Sequence, residues 1–279
     1  MRTVRQPAVA GRFYASRAQR LERNVDDLLA DARRRIAPPE ISPKALLVPH
    51  AGYVYSGPTA ACGYVLLDPV ATAIRRVVLL GPAHYVPFSG LALPESDAFA
   101  SPLGEVPLDR DTDARLLRLP HVIRSDHVHA PEHSLEVQLP FLQRVLADFT
   151  LVPLVVGDAS PQDVAAVIEA CWDGPETLLL ISSDLSHYLP YAVADAKDAD
   201  TVRQILALEW PLTDRSACGA RGINGMLLAA REHGLHPALV DRSNSGDTSG
   251  DKSRVVGYAA ISFTTPTHPG TTPGGDHDD

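Results

Sequence analysis

The feature that most constrains the fold is a set of short apolar runs that lack polar alternation and end in polar loops. They read ALLVP before His50, VVLLGPA before His84, LVPLVV at 151–156 and TLLLIS at 177–182. Continuous apolar runs of this length are typical of strands that are covered on both faces of a sheet. Helical segments separate the runs, so the sequence predicts an α/β fold with a central mixed sheet layered between helices.

Apolar periodicity predicts where the other elements lie. Pro140 implies that the helix around it begins late or kinks. The chain shows no composition break, so residues 1–265 are predicted to form one domain, and the Pro-, Gly-, Thr- and Asp-rich tail at 266–279 is predicted to be disordered. The predicted helices are 17–35, 60–67, 111–118, 135–146, 161–172, 192–208 and 222–233; the predicted strands are 44–48, 76–80, 151–156, 177–182 and 254–264, with a hairpin of 91–93 and 106–108.

Composition limits the partners of the chain. The net charge is -9 and the basic residues near the start alternate with acidic ones, which argues against a nucleic-acid partner. No N-terminal apolar leader and no apolar run long enough for a bilayer is present, so a cytoplasmic, soluble protein without a membrane partner is expected. Three widely spaced cysteines without a C-x-x-C pair do not form a disulfide framework.

Polar residues capable of acid–base or metal chemistry follow the predicted strands. His50, His84, Asp184 and His187 come after three of them, and Asp247 ends a further strand-like run, LVDRSNSGD. In open α/β sheets, ligands bind outside the carboxyl ends of the strands. This pattern indicates a site that holds a metal or moves protons.

Each of these residues also has an ordinary structural explanation. His50 and His84 could share an ion, or each could hold its turn through a loop carbonyl; the matched pair favours a site. Asp184 could orient His187 as a general base, or could cap the following helix. Asp247 lies in NSGDTSGD, a pattern that indicates a turn more strongly than a ligand-binding loop.

The segment EHSLE, residues 132–136, adds further candidates. His133 could face solvent or the cleft. Glu136 could simply be stabilised by the helix dipole in a first helical turn. His127 and His129 lie in a polar loop and are expected to be exposed.

The cysteine positions and the absence of common sequence motifs limit the possible chemistry of the chain. Cys62 and Cys171 are expected in the core, whereas Cys218 in ACGARG could line a cleft. The absence of G-x-G-x-x-G, P-loop and G-x-S-x-G motifs argues against nucleotide binding and common hydrolase types.

Several motifs in order resemble those of the Memo family. They are AGRFY, PHAGYVYSGPTAA, LLGPAHYVP, EHSLEVQLPFL, VPLVVGD, SSDLSHY, ACGARG and VVGYAAISF, and the likeness covers about residues 2–263. That family is similar in fold to the class III extradiol dioxygenases, which cleave catechol rings with non-haem Fe(II). Prokaryotic members carry the label "AmmeMemoRadiSam system protein B", which implies a functional link to radical-SAM and AMMECR-type proteins.

The resemblance implies roles for individual residues. His50 and His84 would be the two metal-site histidines, and His187 would match the acid–base histidine of the dioxygenases. Eukaryotic members carry a cysteine ligand where Asp247 stands here, with Asp251 as a competing candidate. Two histidines and one carboxylate form the set expected for non-haem Fe(II), so Fe(II) is the expected cofactor, with another divalent ion or copper as alternatives.

Together these observations predict a cleft that binds a metal and a small molecule or peptide. The leading hypothesis is a non-haem iron-dependent redox enzyme of dioxygenase-like type, with an unknown substrate. The alternatives are a non-catalytic adaptor that binds peptide or protein in a vestigial cleft, and a metal-assisted hydrolase. The cleft is predicted to hold the metal through His50, His84 and Asp247 and to use His187, Asp184 and His133 as catalytic residues.

Overall fold

The computed structural model describes residues 2–266. The tail predicted to be disordered lies outside these residues, apart from Pro266. The helices are α1 (Ala18–Arg35), α2 (Tyr53–Tyr64), α3 (Arg110–Leu116), α4 (Asp126–His129), α5 (Leu139–Val145), α6 (Pro161–Ala170), α7 (Tyr191–Leu206), α8 (Ala220–Glu232) and α9 (Ser245–Ser249), with short 3₁₀ helices at Val65–Val70 and Glu136–Gln138. The strands are β1 (Val4–Arg5), β2 (Ala45–Val48), β3 (Arg76–Pro82), β4 (Leu91–Leu93), β5 (Ala98–Ser101), β6 (Gly104–Pro107), β7 (Val122–Arg124), β8 (Thr150–Val156), β9 (Thr177–Ser182), β10 (His187–Leu189), β11 (His236–Asn244) and β12 (Val255–Thr264).

A mixed sheet of nine strands forms the centre of the fold. Its order is β10-β12-β2-β9-β3-β8-β4-β7, and β11 pairs with β12 outside this path. The four inner strands β2, β9, β3 and β8 run parallel, while β12 and β4 pair antiparallel on either side of them. A smaller sheet contains β1, β5 and β6. The predicted α/β class with a mixed central sheet is confirmed.

Helices cover both faces of the main sheet. Along β2, Leu46 and Val48 pack into the core beneath α1, α2 and α5, whereas Ala45 and Leu47 pack into the opposite core with α6 and α8. This alternation, with every residue buried, explains why β2 contains no polar residue.

The register of the parallel strands determines where the polar loops lie. Val48 of β2 pairs with Ser182 of β9, and Leu80 of β3 pairs with Ile181. The carboxyl ends of these three strands therefore meet at one edge of the sheet. His50, His84 and Asp184 follow those ends within a few residues.

A buried carboxylate fastens the N-terminal arm to this edge. Glu136 pairs with Arg5, and neither side chain is more than 4% exposed. Glu136 also accepts hydrogen bonds from the backbone N–H groups of Ala8 (2.7 Å) and Val9 (3.0 Å) and from the hydroxyl of Tyr14 (2.6 Å). An uncompensated buried charge is strongly destabilising, so these donors are what stabilises the buried carboxylate of Glu136. They account for a glutamate at this position better than a favourable helix dipole does.

Three sequence predictions about elements need correction. Helix α2 begins at Tyr53, well before the predicted position 60, and carries Pro58 inside it. The hairpin is formed by β5 and β6, whereas β4 pairs with β7 and β8, because the buried β4 (Leu91–Leu93) completes the main sheet. The strand-like run LVDRSNSGD lies in β11 only as far as Asn244, because the strand begins earlier, at His236, and Ser245–Ser249 form α9. The late start of the helix at Pro140 is confirmed.

His129 is buried, contrary to the expectation that it is exposed. The ring is 1% exposed and its Nε2 donates to the carbonyl of Ala92 at 2.8 Å. Burial is the main reason why the pKa of His129 falls to about 4. Within residues 2–266, no helix is both long and apolar enough to cross a membrane.

We expect His129 to make stability depend on pH. Its folded pKa of about 4 lies below the unfolded value of 6.5, so the unfolded chain binds the extra proton between these pH values. Stability should therefore fall on acidification through this window, with a contribution from His129 of about 1.4 kcal/mol per pH unit. Urea unfolding of the wild type and of His129→Gln, between pH 4.5 and 6, measures this slope.

The matched control is His127→Gln, which removes an exposed imidazole two residues earlier. A His129→Gln variant with the same pH slope as the wild type would contradict the assignment.

Candidate metal centre

Three imidazoles that are far apart in sequence meet at the carboxyl edge of the sheet. His50 follows β2, His84 follows β3, and His133 precedes the 3₁₀ helix at Glu136–Gln138. One ligand atom from each lies within 4.8 Å of those of the other two. The ring centroids are separated by 5.2 Å (His50–His84), 5.6 Å (His50–His133) and 4.6 Å (His84–His133). This spacing lets the three side chains coordinate one ion.

A hydrogen-bond network fixes the tautomer of His50. Ser182 Oγ donates to the carbonyl of Ser134 at 2.7 Å and accepts from Gln138 Nε2 at 2.8 Å. Because the single hydroxyl proton is already used, His50 Nδ1, at 2.8 Å, must donate to Ser182 Oγ. The lone pair of His50 is therefore on Nε2. Burial is the largest cause that lowers the pKa of His50 well below its usual value, so the ring is neutral.

Glu132 fixes the tautomer of His84 in the same way. Its carboxylate accepts from His84 Nδ1 at 2.9 Å and from the backbone N–H of His84 at 2.7 Å. Burial raises the pKa of Glu132, but these hydrogen bonds, together with the charge that His84 carries when protonated, outweigh it and bring the pKa to about 2. An ionised carboxylate only accepts, so in the neutral ring Nδ1 carries the proton and Nε2 keeps its lone pair. Carboxylates behind metal-binding histidines are common and orient the ring.

His133 carries an unpaired buried nitrogen. Its Nδ1 has no hydrogen-bond partner among the described residues, and Glu132 Oε1 lies 3.5 Å from it. The ring packs against Phe13 of the N-terminal arm at 4.7 Å. Burial, followed by the neighbouring His50 and His84, lowers the pKa of His133 to about 3. Because buried polar atoms normally have partners, this nitrogen fits a site that gains one on metal binding.

The donor set fits a divalent ion. His50 and His133 are neutral at neutral pH. The lone pair of His50 is on Nε2, where its one neighbour among the hydrogen bonds is the weak thiol donor of Cys218 at 3.2 Å, and Nε2 is the ligand nitrogen of a neutral His84. Neutral imidazole is the form that binds metals.

Asp184 and His187 lie beside this cluster but do not pair as the sequence suggested. Asp184 is buried and its Oδ1 accepts from the backbone N–H of His50 at 2.7 Å. His187 Nδ1 lies 2.9 Å from the carbonyl of Leu185. A carbonyl only accepts, so Nδ1 of His187 is protonated and Nε2 is free. Burial is the main cause that raises the pKa of Asp184 to about 6.

The structure does not bring Asp247 to the imidazoles. Asp247 is exposed, its Oδ2 caps α9 by accepting from Asn244 N at 2.9 Å, and its Oδ1 accepts from the Tyr191 hydroxyl at 2.7 Å. Asp251 is also exposed and accepts from Ser253 N at 2.9 Å. Both carboxylates serve local turns, and His133 stands beside His50 and His84 instead.

Cys218 is the one cysteine at the site. Its Sγ lies 3.2 Å from Nε2 of His50, and burial is the main cause that raises its pKa to about 12. It is therefore a thiol, whose hydrogen can be donated to the His50 lone pair. Cys62 and Cys171 are buried in the two cores, as predicted.

A cleft opens beside the cluster. Its volume is about 760 Å³, within the range of small-molecule sites. Among its lining residues are His84, His187 and Cys218, together with Lys197 and Arg221. Exposed tyrosines adjoin the two histidines, with ring centroids at 6.4 Å for His84–Tyr85 and 5.8 Å for His187–Tyr188. Tyr188 has φ of 59°, a backbone strain of the kind that clusters at functional sites.

Sequence reasoning missed the residues that orient the imidazoles. Glu132 could have been suspected, because it stands directly before His133 in the chain. Ser182 ends an apolar strand at the predicted site edge, which is a weaker signal. Gln138 gives no signal, because its role depends on tertiary contacts with Pro49 and Ser182.

Comparison with known proteins identifies relatives along nearly the whole chain. A family described as "Memo-like protein" matches residues 5–262. A MEMO1 family protein of Ignicoccus hospitalis is 37% identical over 284 residues, which cover 94% of this chain and 99% of that protein. A MEMO1 family protein of Aquifex aeolicus is 36% identical over 282 residues, with 93% and 99% covered.

One solved structure is a more distant match. It is the crystal structure of uncharacterized protein JW3007 from Escherichia coli K12, with a TM-score of 0.47 and 12% identity, covering 77% of this chain and 98% of that one. This similarity is too distant to indicate a function. The match over residues 5–262 and the relatives covered along 99% of their length show that the chain belongs to the Memo family.

Proposed function

We propose that the chain is a metal-dependent enzyme whose ion is held by His50, His84 and His133. The observation that carries this proposal is the convergence of their ligand atoms within 4.8 Å of one another. The hydrogen bonds behind His50 and His84 support it, because in the neutral rings they place the lone pair on Nε2. The thiol of Cys218, 3.2 Å from His50 Nε2, is a weak donor that an ion would displace. The adjoining cleft provides room for a substrate.

The donor set bears on which ion the site would take. The sequence suggested two histidines and Asp247, a set that favours iron(II). Three imidazole ligands also suit zinc, copper and iron, and zinc enzymes use this set for catalysis. We propose iron(II) as the cofactor and redox chemistry of the dioxygenase type, with zinc or copper as competing ions.

When bound, the ion would supply Lewis-acid activation of a substrate oxygen and, for iron, electron transfer to O₂. The side chains of the chain would move the protons. His187 is the proposed base, because its Nδ1 is held by Leu185 and its Nε2 can take a proton from a substrate hydroxyl. Asp184 is buried close by; burial raises the pKa of its carboxyl, and the charge of a protonated His187 would lower it.

A metal-assisted hydrolase is the second candidate function. The all-histidine donor set supports it, since three histidines with an open position are typical of zinc sites that activate water. The same cleft and the same base would serve either reaction, so the metal and the consumption of O₂ distinguish them.

Metal titration tests which residues hold the ion. We expect the wild type to bind one Fe(II) per chain under anaerobic conditions. His133→Ala should lower the affinity by about tenfold or more, because one of three ligands is lost. Asp247→Ala is the matched control and should bind as the wild type does. Loss of binding in Asp247→Ala with normal binding in His133→Ala would contradict the proposal.

Exchange of Glu132 tests the carboxylate behind His84. Glu132→Gln keeps the shape of the side chain. Its amide N–H₂ group, however, would face the N–H donors whose hydrogen bonds the wild-type carboxylate accepts. We expect metal affinity to fall by about 10- to 100-fold, as for other carboxylates behind metal ligands. The control is Glu169→Gln, since Glu169 accepts from His233 Nε2 at 2.8 Å outside the site. Equal affinities of the two variants would rule out an orienting role.

Oxygen uptake tests the proposed reaction. The iron(II)-loaded wild type should consume O₂ with at least one member of a catechol panel. His187→Gln should reduce the rate by about 10²- to 10⁴-fold while it retains iron, since it lacks the general base. The control is His236→Gln, which removes an exposed imidazole. Full iron loading without O₂ uptake, together with ester hydrolysis by the zinc form, would favour the hydrolase.

A further inference from the structure

The cleft beside the imidazoles carries more positive than negative side chains. Its lining includes three cationic residues, Lys197, Arg215 and Arg221, but only two carboxylates. The two carboxylates, Asp158 and Asp214, lie next to Arg221. This excess of positive charge is notable because the whole chain has a net charge of -9.

Arg221 is already neutralised by its neighbours. Its guanidinium forms an ion pair with Asp158, and Asp214 lies 3.9 Å away. Its charge therefore contributes little to the recognition of a ligand.

Lys197 and Arg215 form no such ion pair, although burial raises the pKa of the neighbouring Asp198 and the charge of Lys197 is close enough to oppose this rise. Among residues 2–266, neither has a carboxylate oxygen within 4.0 Å, and neither side chain donates a hydrogen bond to another residue. Lys197 is half-buried on α7, whereas Arg215 lies in the loop before α8. Two cations that face one concave wall raise the local concentration of anions.

We propose that Lys197 and Arg215 form an anion subsite that selects substrates carrying a carboxylate or phosphate. The acidic group would contact these two side chains while the reacting group lies at His84 and His187, which line the same cleft. A volume of about 760 Å³ suits a small molecule more than a polypeptide. The inference deepens the proposed function, because it rests on the same cleft as the reaction site.

Binding of paired probes tests the subsite. Calorimetry compares 3,4-dihydroxybenzoate with catechol, and phenyl phosphate with phenol, on the full chain with and without iron(II). The wild type should bind at least one anionic probe about tenfold more tightly than its neutral partner, as expected for a charge-assisted contact. The phosphate and benzoate arms identify which acidic group is preferred.

Variants separate the subsite from the metal site. The double variant Lys197→Gln/Arg215→Gln should lose the preference but keep its affinity for iron(II) and for catechol. Lys252→Gln is the matched control, since Lys252 packs over Tyr191 and is absent from the cleft lining. The preference should persist in metal-free protein, so failure of the metal proposal leaves this measurement intact. Equal binding of charged and neutral probes, no binding of either at millimolar concentration, or a preference that survives in the double variant would overturn the subsite.

Discussion

In-register pairing of the parallel strands β2, β9 and β3 is the constraint on which the rest of the site depends. Val48 pairs with Ser182, and the hydroxyl of Ser182 then reaches the ring of His50. Successive side chains of a strand point to opposite faces, so a slip of one residue would turn Ser182 to the face away from His50. The register of these strands therefore decides which side chains meet at the strand ends.

Packing three imidazoles together is electrostatically unfavourable unless an ion lies between their lone pairs. Burial and the neighbouring rings lower the pKa values of His50 and His133, so protonation cannot supply the missing hydrogen bonds at neutral pH. Glu132 compensates His84 from behind, and Ser182 compensates His50. The lone pairs that remain converge, and a shared cation would satisfy them together.

The sequence predicted the sheet and part of the site for related reasons. Apolar runs reveal inner strands directly, and His50 and His84 follow those runs, so their proximity could be expected. The sequence named His133 as a candidate but did not predict where its ring lies. The residue is on an irregular segment whose path depends on contacts with Phe13 and Glu136. Asp247 was assigned from a short glycine-rich similarity, and the structure uses it to cap α9. Contacts between distant segments, such as Gln138 with Ser182, have no local pattern in sequence.

The central claim is that His50, His84 and His133 share one ion. Anomalous diffraction at the absorption edge of the metal, from crystals of the iron- or zinc-loaded protein, tests it most directly. The account predicts a single peak with one nitrogen of each ring at about 2.0–2.2 Å. A peak coordinated by Asp247 or by the sulfur of Cys218 in place of His133 would contradict it.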